Sequence, residues 1–446
     1  MIDKIHIQNF KSIYDLEVEV GRVNLFIGEN GSGKSNLLEA LVFVSASESN
    51  KLDNEFLVSR GLRIPEPILM RSAFEEENSN KDIEILVEYL DSSVNYIFQN
   101  NNEKYSKWDV LTNSEITKIY SEKSNNLEDD IDKLDEYIEA AEEVMNSSDT
   151  IMDIGSEILE VSEKLEEKKR DIQPKIKEYQ KEKNEKKKKR LVESLVLEIE
   201  RINKLTKNLE ILENNLRKEE EKFDKRTSNL YQFIIYSPEN TSLRIFQKEG
   251  QIQPLGINGE GLLKLLQVIN NYEDKSYINT IVESLQLFNW FEDITIPTDS
   301  LENIVVIKDK YLYREFTQQS ANEGFLFILF YITLIVAKET PKAFAIDNID
   351  ASLNPKLCTK LMTILTDLAK KYDKQIFLTT HNSAVLDGID LNDEEQKLFV
   401  VSRNKQGHTR MKKITVENKP KSSSNEPLKL SEAFLRGYLG GLPKGF

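Results

Sequence analysis

Eight residues near the start of the chain carry the most direct chemistry. Gly28-Glu29-Asn30-Gly31-Ser32-Gly33-Lys34-Ser35 fits the pattern GxxxxGK[ST]. Glycines in such a loop let backbone N–H groups turn inward on phosphate oxygens. A helix opening just after the loop adds the positive end of its dipole. Asn30, Gly31, Ser32 and Gly33 then cradle the phosphates, Lys34 reaches the β- and γ-phosphates, and the Ser35 hydroxyl ligates Mg²⁺. That cation needs an acidic partner at the end of a buried strand. Ala343-Phe344-Ala345-Ile346-Asp347 supplies one, with Asp347 holding the ion directly or through water. Phe377-Leu378-Thr379-Thr380-His381 ends another short apolar strand on a histidine, 34 residues beyond Asp347. A histidine so placed can touch a γ-phosphate. The implied ligands are ATP and Mg²⁺.

These residues need a scaffold of strands and helices. Residues 2–7 and 16–20 alternate apolar and polar, a strand pattern. Residues 23–27 are an apolar run that reads as a buried strand, and residues 34–44 carry a helical apolar face, so the loop lies between strand and helix. Further strands are expected at 83–90, 94–98, 233–236, 343–346 and 376–378, a strand pair within 301–316, and a closing hairpin from 398–402 and 410–414. Helices are expected at 260–269, 325–336 and 356–372. Residues 417–427, with two prolines and three consecutive serines, read as a loose linker.

The texture changes between about 122 and 227, where Gly155 and Pro174 are the only glycine and proline and Glu and Lys dominate. Apolar residues recur alternately four and three apart, from Leu127 to Met145 and again from Leu195 to Phe223, which is a heptad seam. Pro174 near the middle suggests two antiparallel arms. An arm of roughly 45 residues reaches about 65 Å. The run Lys186-Lys187-Lys188-Lys189-Arg190 is either a solvated face or a patch for the DNA backbone.

Composition narrows the function further. Charged residues make up 30% of the 446, and the net charge is -16, so any nucleic-acid contact must come from a local basic patch. One cysteine, Cys358, excludes an internal disulfide framework, and the histidines (His6, His381 and His408) are too few and scattered for a Cys/His zinc cluster. The start lacks the apolar region of a signal peptide. The most apolar stretch, 325–337, suits a buried helix and is too short to span a bilayer. The expectation is a cytoplasmic protein without membrane contact.

The opening Ile5-His6-Ile7-Gln8-Asn9-Phe10-Lys11-Ser12-Ile13, the phosphate loop, Asp347-Asn348-Ile349-Asp350 through Leu353-Asn354-Pro355, and Thr380-His381 together resemble the ABC-type ATPase heads of the RecF, SMC and Rad50 class. The resemblance implies an α/β P-loop head with an inserted antiparallel coiled-coil hairpin. The N-terminal lobe would be 1–120, the insertion 121–227 and the C-terminal lobe 228–446. It also implies a homodimer or higher even oligomer in which two heads sandwich nucleotide. The segment Asn322-Glu323-Gly324-Phe325 would reach across to the partner head, so Asn322 and Gly324 join the nucleotide residues. Lys11 and Ser12 would lie near the nucleotide, and residues 351–354 would form the D-loop.

Two positions depart from the family pattern. Asn322 stands where a serine is usual, with Ser320 close by. Asn348 stands where a glutamate normally polarises the attacking water, and an amide cannot accept a proton as a carboxylate does. Asp350 is the nearest carboxylate that could stand in. The expectation is tight ATP binding with slow hydrolysis, Asn348 and His381 being the catalytic-position residues. The Asp-Asn pair, a short coil and the tail Gly437-Tyr438-Leu439-Gly440-Gly441-Leu442-Pro443 look like the stand-alone ATPases of Septu-type anti-phage defence (PtuA). In such systems an HNH-type nuclease effector is a separate chain. The glycine-rich tail reads either as a flexible end or as a docking strip for a partner. The alternative function is a DNA-repair or chromosome-maintenance ATPase acting on DNA itself. An internal nuclease domain is disfavoured because 65 residues follow His381.

Overall fold

The computed structural model describes residues 1–112 except 91, 104 and 105, and residues 230–442 except 247–253, 299–303 and 421–427. Between them it describes only Pro174, Glu178, Lys186, Lys187, Lys188, Val192, Leu195, Val196, Thr206 and Lys207. The chain divides into two compact units, Met1–Val110 with Thr227–Phe446, and Leu111–Arg226.

The first unit opens with β1 (Ile2–Phe10), β2 (Ile13–Glu19) and β3 (Val23–Gly28). Then come α1 (Lys34–Glu48), α2 (Asn54–Ser59), α3 (Pro67–Met70), β4 (Ile83–Tyr89), β5 (Ser92–Gln99) and β6 (Asp109–Thr112). After the second unit follow β7 (Ile235–Tyr236), α4 (Asn240–Leu243), α5 (Leu262–Asn270), α6 (Ser276–Leu285), β8 (Phe291–Thr295), β9 (Val306–Asp309) and β10 (Phe316–Thr317). The chain continues through α7 (Glu323–Val336), β11 (Ala343–Ile346), α8 (Pro355–Lys371), β12 (Gln375–Thr380), β13 (Gln396–Arg403), β14 (Thr409–Ile414) and α9 (Leu430–Leu435).

Three sheets result. A six-stranded sheet runs β14-β13-β3-β12-β11-β7, parallel except for the antiparallel edge strand β14. A second sheet runs β2-β1-β4-β5-β6, antiparallel from β2 to β5, and a small antiparallel one runs β10-β9-β8. β3, β11 and β12 are buried at every position, as expected of parallel strands covered on both faces. One face of the six-stranded sheet, through Val23, Leu25 and Ile27, joins a core built around α7. Helix α7 is apolar from Phe325 to Val336 and is buried all round by α4, α5, α6 and α8. α1 packs against β1 of the antiparallel sheet and against β3, β7 and β12 of the six-stranded one. That placement explains why α1 is buried over nearly its whole length despite carrying Glu39 and three serines.

Most expected elements appear within a few residues. The 301–316 strand pair is β9 and β10 with a third partner, β8, that the sequence reading lacked. Part of the glycine-rich tail packs on the sheet. Leu439 is buried, and a Cβ on Gly441 would lie 2.5 Å from Val400 Cγ1 of β13. The heptad seam and the hairpin lie outside the described residues. Of that region, Pro174 and the other residues named above are helical, so Pro174 itself carries helical backbone. Lys186 and Lys187 are exposed. No helix among the described residues is long and apolar enough to cross a membrane.

Candidate functional site

The phosphate loop leaves β3 at Gly28, which pairs with Val401 of β13. Gly31 and Gly33 take left-handed backbone, with φ of 74° and 104°, and so turn the loop onto the start of α1. Gly33 is also sterically required: an added Cβ would lie 2.1 Å from Thr409 Oγ1. No side chain caps α1, which leaves its first N–H groups for an anion. Lys34 donates from Nζ to the carbonyls of Gly28 (2.9 Å) and Glu29 (3.0 Å), curling over its own loop. Burial lowers the Lys34 ammonium to about 8, against the opposing pull of Asp347, Asp350 and Glu29.

Asp347 follows the last residue of β11, and its N–H donates to the carbonyl of Tyr236 at the end of β7 (2.9 Å). Ser35 Oγ donates to Asp347 Oδ2 at 3.3 Å, and the Thr379 hydroxyl donates to Asp347 Oδ1. One hydroxyl beside one carboxylate, facing a polar cavity, fits Mg²⁺, which takes few protein ligands and keeps waters and phosphate oxygens for the rest. Among the described residues no cluster of three or more His, Cys, Asp or Glu could hold a metal ion.

Asn348 sits in left-handed backbone with φ of 57°, and its N–H donates to Thr379 Oγ1 at 2.9 Å. Asn tolerates that region better than most residues. His381 follows β12 directly. Burial first, then the positive charge of Lys34, lowers its pKa, so the ring is neutral near pH 7. Asp350 Oδ1 is taken up by the Thr380 hydroxyl at 2.6 Å and the His381 N–H at 3.3 Å.

These groups surround a cavity of about 400 Å³ lined by Asn30, Gly31, Gly33, Lys34, Ser35, Asn36, Arg63, Asp347, Asn348, His381 and Arg403. A second, more open cavity of about 640 Å³ shares Asn36, Arg63 and Arg403 with the first. It adds Lys11 and Ser12 beside the apolar Ile64, Pro65, Leu69, Ala73 and Phe74. The structure thus brings the loop, Asp347, Asn348 and His381 together and sets Lys11 and Ser12 next door.

Asn322 and Gly324 lie elsewhere. Asn322 caps α7 by accepting the Phe325 N–H at 2.8 Å, and a Cβ on Gly324 would lie 3.0 Å from the Ser352 carbonyl oxygen. They line neither cavity. Ser32 is buried behind the loop; its carbonyl accepts from Thr409 Oγ1 at 3.0 Å, while its hydroxyl has no partner among the described residues.

Several residues of the site escaped the sequence reading. Glu39, buried on α1, accepts from both Lys11 and Arg63. A lone carboxylate inside the apolar run Leu37–Val44 was the available signal, since such a group must find a cation. Ser12 Oγ accepts from Asn36 Nδ2 at 2.6 Å and pairs with Thr409 Oγ1 at 2.6 Å, so Ser12 braces the loop from behind. Thr409 and Arg403 come from the β13–β14 hairpin, where no motif marks them.

Sequence comparison agrees with this architecture. A family described as "AAA ATPase domain" matches residues 1–386. The chain is 31% identical over 120 residues to the uncharacterized protein MJECL10 of Methanocaldococcus jannaschii, covering 25% of this chain and 52% of that protein. It is 38% identical over 55 residues to the DNA replication and repair protein RecF of Lactobacillus acidophilus, covering 12% of this chain and 15% of RecF. The chain therefore spans about half the length of the first relative and a small part of the second. Among solved structures, an SMC head bound to the C-winged helix domain of ScpA aligns over 93% of this chain and 98% of its own, with 12% identity and a TM-score of 0.48. The SMC head domain from Thermotoga maritima aligns over 93% of this chain and 99% of its own, with 11% identity and a TM-score of 0.41. With its P-loop head assembled from both ends of the sequence and the match running over most of its length, the chain belongs to the AAA ATPase domain family.

Proposed function

We propose that this chain binds Mg-ATP in the cavity over the phosphate loop, pairs head to head with a second copy, and uses ATP mainly to hold that assembly. The observation that carries the reading is the position after Asp347. Asn348 lines the cavity with an amide, and Asp347, the Mg²⁺ partner, is the only carboxylate among the lining residues. Asp350, the possible substitute, does not line the cavity and gives its Oδ1 to Thr380 and the His381 N–H. A site without a carboxylate base loses about 10²–10⁴ in rate. ATP then persists as a mark of state. Lys34 and the N-terminus of α1 bind the phosphates, Ser35 and Asp347 orient the cation, and neutral His381 donates or accepts at the γ-phosphate. Asn322 and Gly324, which line neither cavity of their own head, serve the partner's site.

Such a head suits a regulatory ATPase that controls a separate nuclease effector, as in the Septu-type defence systems that the Asp-Asn pair and short coil resemble. A second reading, a RecF-like ATPase acting on DNA, draws on the local similarity to RecF and on the exposed Lys186 and Lys187. Light scattering of the purified chain with Mg-ATP, Mg-ADP and no nucleotide tests the proposal, with phosphate release followed in parallel. Expected are ATP-dependent doubling of mass and release near background. Rapid steady-state turnover, or a mass indifferent to ATP, defeats it. Strong DNA binding with DNA-accelerated release moves the assignment to the second reading.

A further inference from the structure

The C-terminal hairpin of β13 and β14 lies beyond the stretch matched by the family, yet its Arg403 lines both cavities. Its turn is seated firmly. The Asn404 N–H donates to the His408 carbonyl at 2.9 Å, and the His408 ring lies between Tyr14 (4.7 Å) and Phe74 (4.8 Å). Thr409 is fixed to the phosphate loop through the Ser32 carbonyl, and its N–H donates to the Ser12 carbonyl at 2.7 Å. Arg403 pairs with Thr409 across the hairpin, so its backbone is held against the loop as well.

Arg403 differs from the other cations here. Lys34 is engaged with its own loop, and Lys11 and Arg63 are engaged with Glu39. Arg403 has no ion pair or side-chain hydrogen bond among the described residues, although the chain carries a net charge of -16 and offers carboxylates widely. It is exposed, and it lines both cavities where they meet. One cavity holds the Lys34, Ser35 and Asp347 end of the site; the other is largely apolar. A nucleotide with its outer phosphates in the first and its base in the second must pass the junction at the phosphate next to the sugar. From this we infer that Arg403 is a direct ligand of that innermost phosphate, a guanidinium whose planar fork suits phosphate oxygens.

The inference rests on nucleotide binding at this site, and the test separates the two. Dissociation constants for Mg-ATP and Mg-ADP are measured by titration calorimetry on the full chain, on Arg403→Gln, on Arg403→Lys and on Lys34→Ala. Melting temperatures check folding, and Arg403→Gln should melt with the parent because its side chain has no partner to lose. The expected result is a loss of about tenfold or more for Arg403→Gln, equal for ATP and ADP, with a smaller loss for Arg403→Lys. Unchanged affinity in Arg403→Gln, with binding abolished in Lys34→Ala, overturns the inference and leaves the nucleotide site standing. A loss confined to ATP also overturns it, by placing Arg403 at the γ-phosphate. A parent chain that binds neither nucleotide removes the proposed site and the inference with it.

Discussion

Replacing Asn348 by glutamate tests the reading of this site most sharply, because structure and chemistry predict opposite signs. The scaffold survives the change: the bond to Thr379 Oγ1 uses the backbone N–H of residue 348, at 2.9 Å, and not its side chain. The backbone at 348 is left-handed, with φ of 57°. An asparagine adopts that conformation readily, whereas glutamate, like alanine, pays about 1–2 kcal/mol. In a unit of about 330 residues each kcal/mol moves the melting temperature by roughly 1–2 °C, so Asn348→Glu should melt about 1–4 °C lower. Against that cost, the carboxylate enters a cavity already carrying Asp347 and Ser35 and supplies the missing proton acceptor. Phosphate release should rise by about 10²–10⁴. Single-turnover release with excess protein, run beside differential scanning fluorimetry, reads both effects. Asn348→Ala pays the same backbone cost without the base, so it should melt low and stay inactive. A native chain that already turns over at about 1 s⁻¹ or faster, with no gain from the glutamate, refutes the reasoning.

Other perturbations probe the same cavity. Thr379→Val removes a fully buried hydroxyl that donates to Asp347 and accepts from the Asn348 N–H; it should cost about 1–3 kcal/mol in denaturant unfolding and weaken Mg²⁺-dependent ATP binding. Gly33→Ala drives a Cβ into Thr409 Oγ1 from a backbone at φ 104°, so calorimetry should find no nucleotide binding even where circular dichroism shows a folded chain. The Lys34 ammonium stands at about 8 in the nucleotide-free head, and phosphate binding favours its charged form. ATP affinity should therefore be level from pH 6.5 to 7.5 and fall above pH 8, by up to about tenfold per unit; an affinity unchanged at pH 9 would show that the free Lys34 ammonium stays charged through that range.

How much of this was legible in the sequence depended on whether the signal was local. The order β3, phosphate loop, α1 was readable because an apolar strand, glycines at the turn and a helical face follow within about twenty residues. Helix α7 and strands β11 and β12 were readable as unbroken apolar runs, the signature of burial on all sides. Strand β8 was not, because Glu292 and Asp293 interrupt its apolar residues. The roles of Glu39, Ser12 and Thr409 were invisible for a different reason. Each is defined by a partner far away in the chain, as in the Ser12–Thr409 hydroxyl pair, 397 residues apart. The tail's glycines left a flexible end and a docking strip both open, whereas Gly441 lies so close to Val400 that a Cβ would be 2.5 Å from its Cγ1.

The same distinction bears on how the head tolerates a large insertion. After the second unit, the chain re-enters the first through residues that fasten at once to the site's own elements. The Tyr231 carbonyl accepts from Ser45 Oγ of α1 at 3.1 Å, the Ile235 N–H donates to the Arg60 carbonyl at 3.0 Å, and the Tyr236 carbonyl accepts from the Asp347 N–H. β7 is only two residues long, so its pairing with β11 would be weak alone; these flanking bonds and the buried Tyr236 ring secure it. Asp347 is therefore held through its N–H by the re-entering segment and through its carboxylate by the Thr379 hydroxyl. Tyr236→Ala removes a fully buried ring that packs edge-on against Phe330 of α7 and Phe344 of β11. It should cost about 3–5 kcal/mol of stability and also weaken Mg-ATP binding, although Tyr236 lines neither cavity. Loss of stability with an unaltered ATP dissociation constant in the folded fraction would show that the Thr379 and Ser35 hydroxyls hold the Asp347 carboxylate without help from the Tyr236 ring.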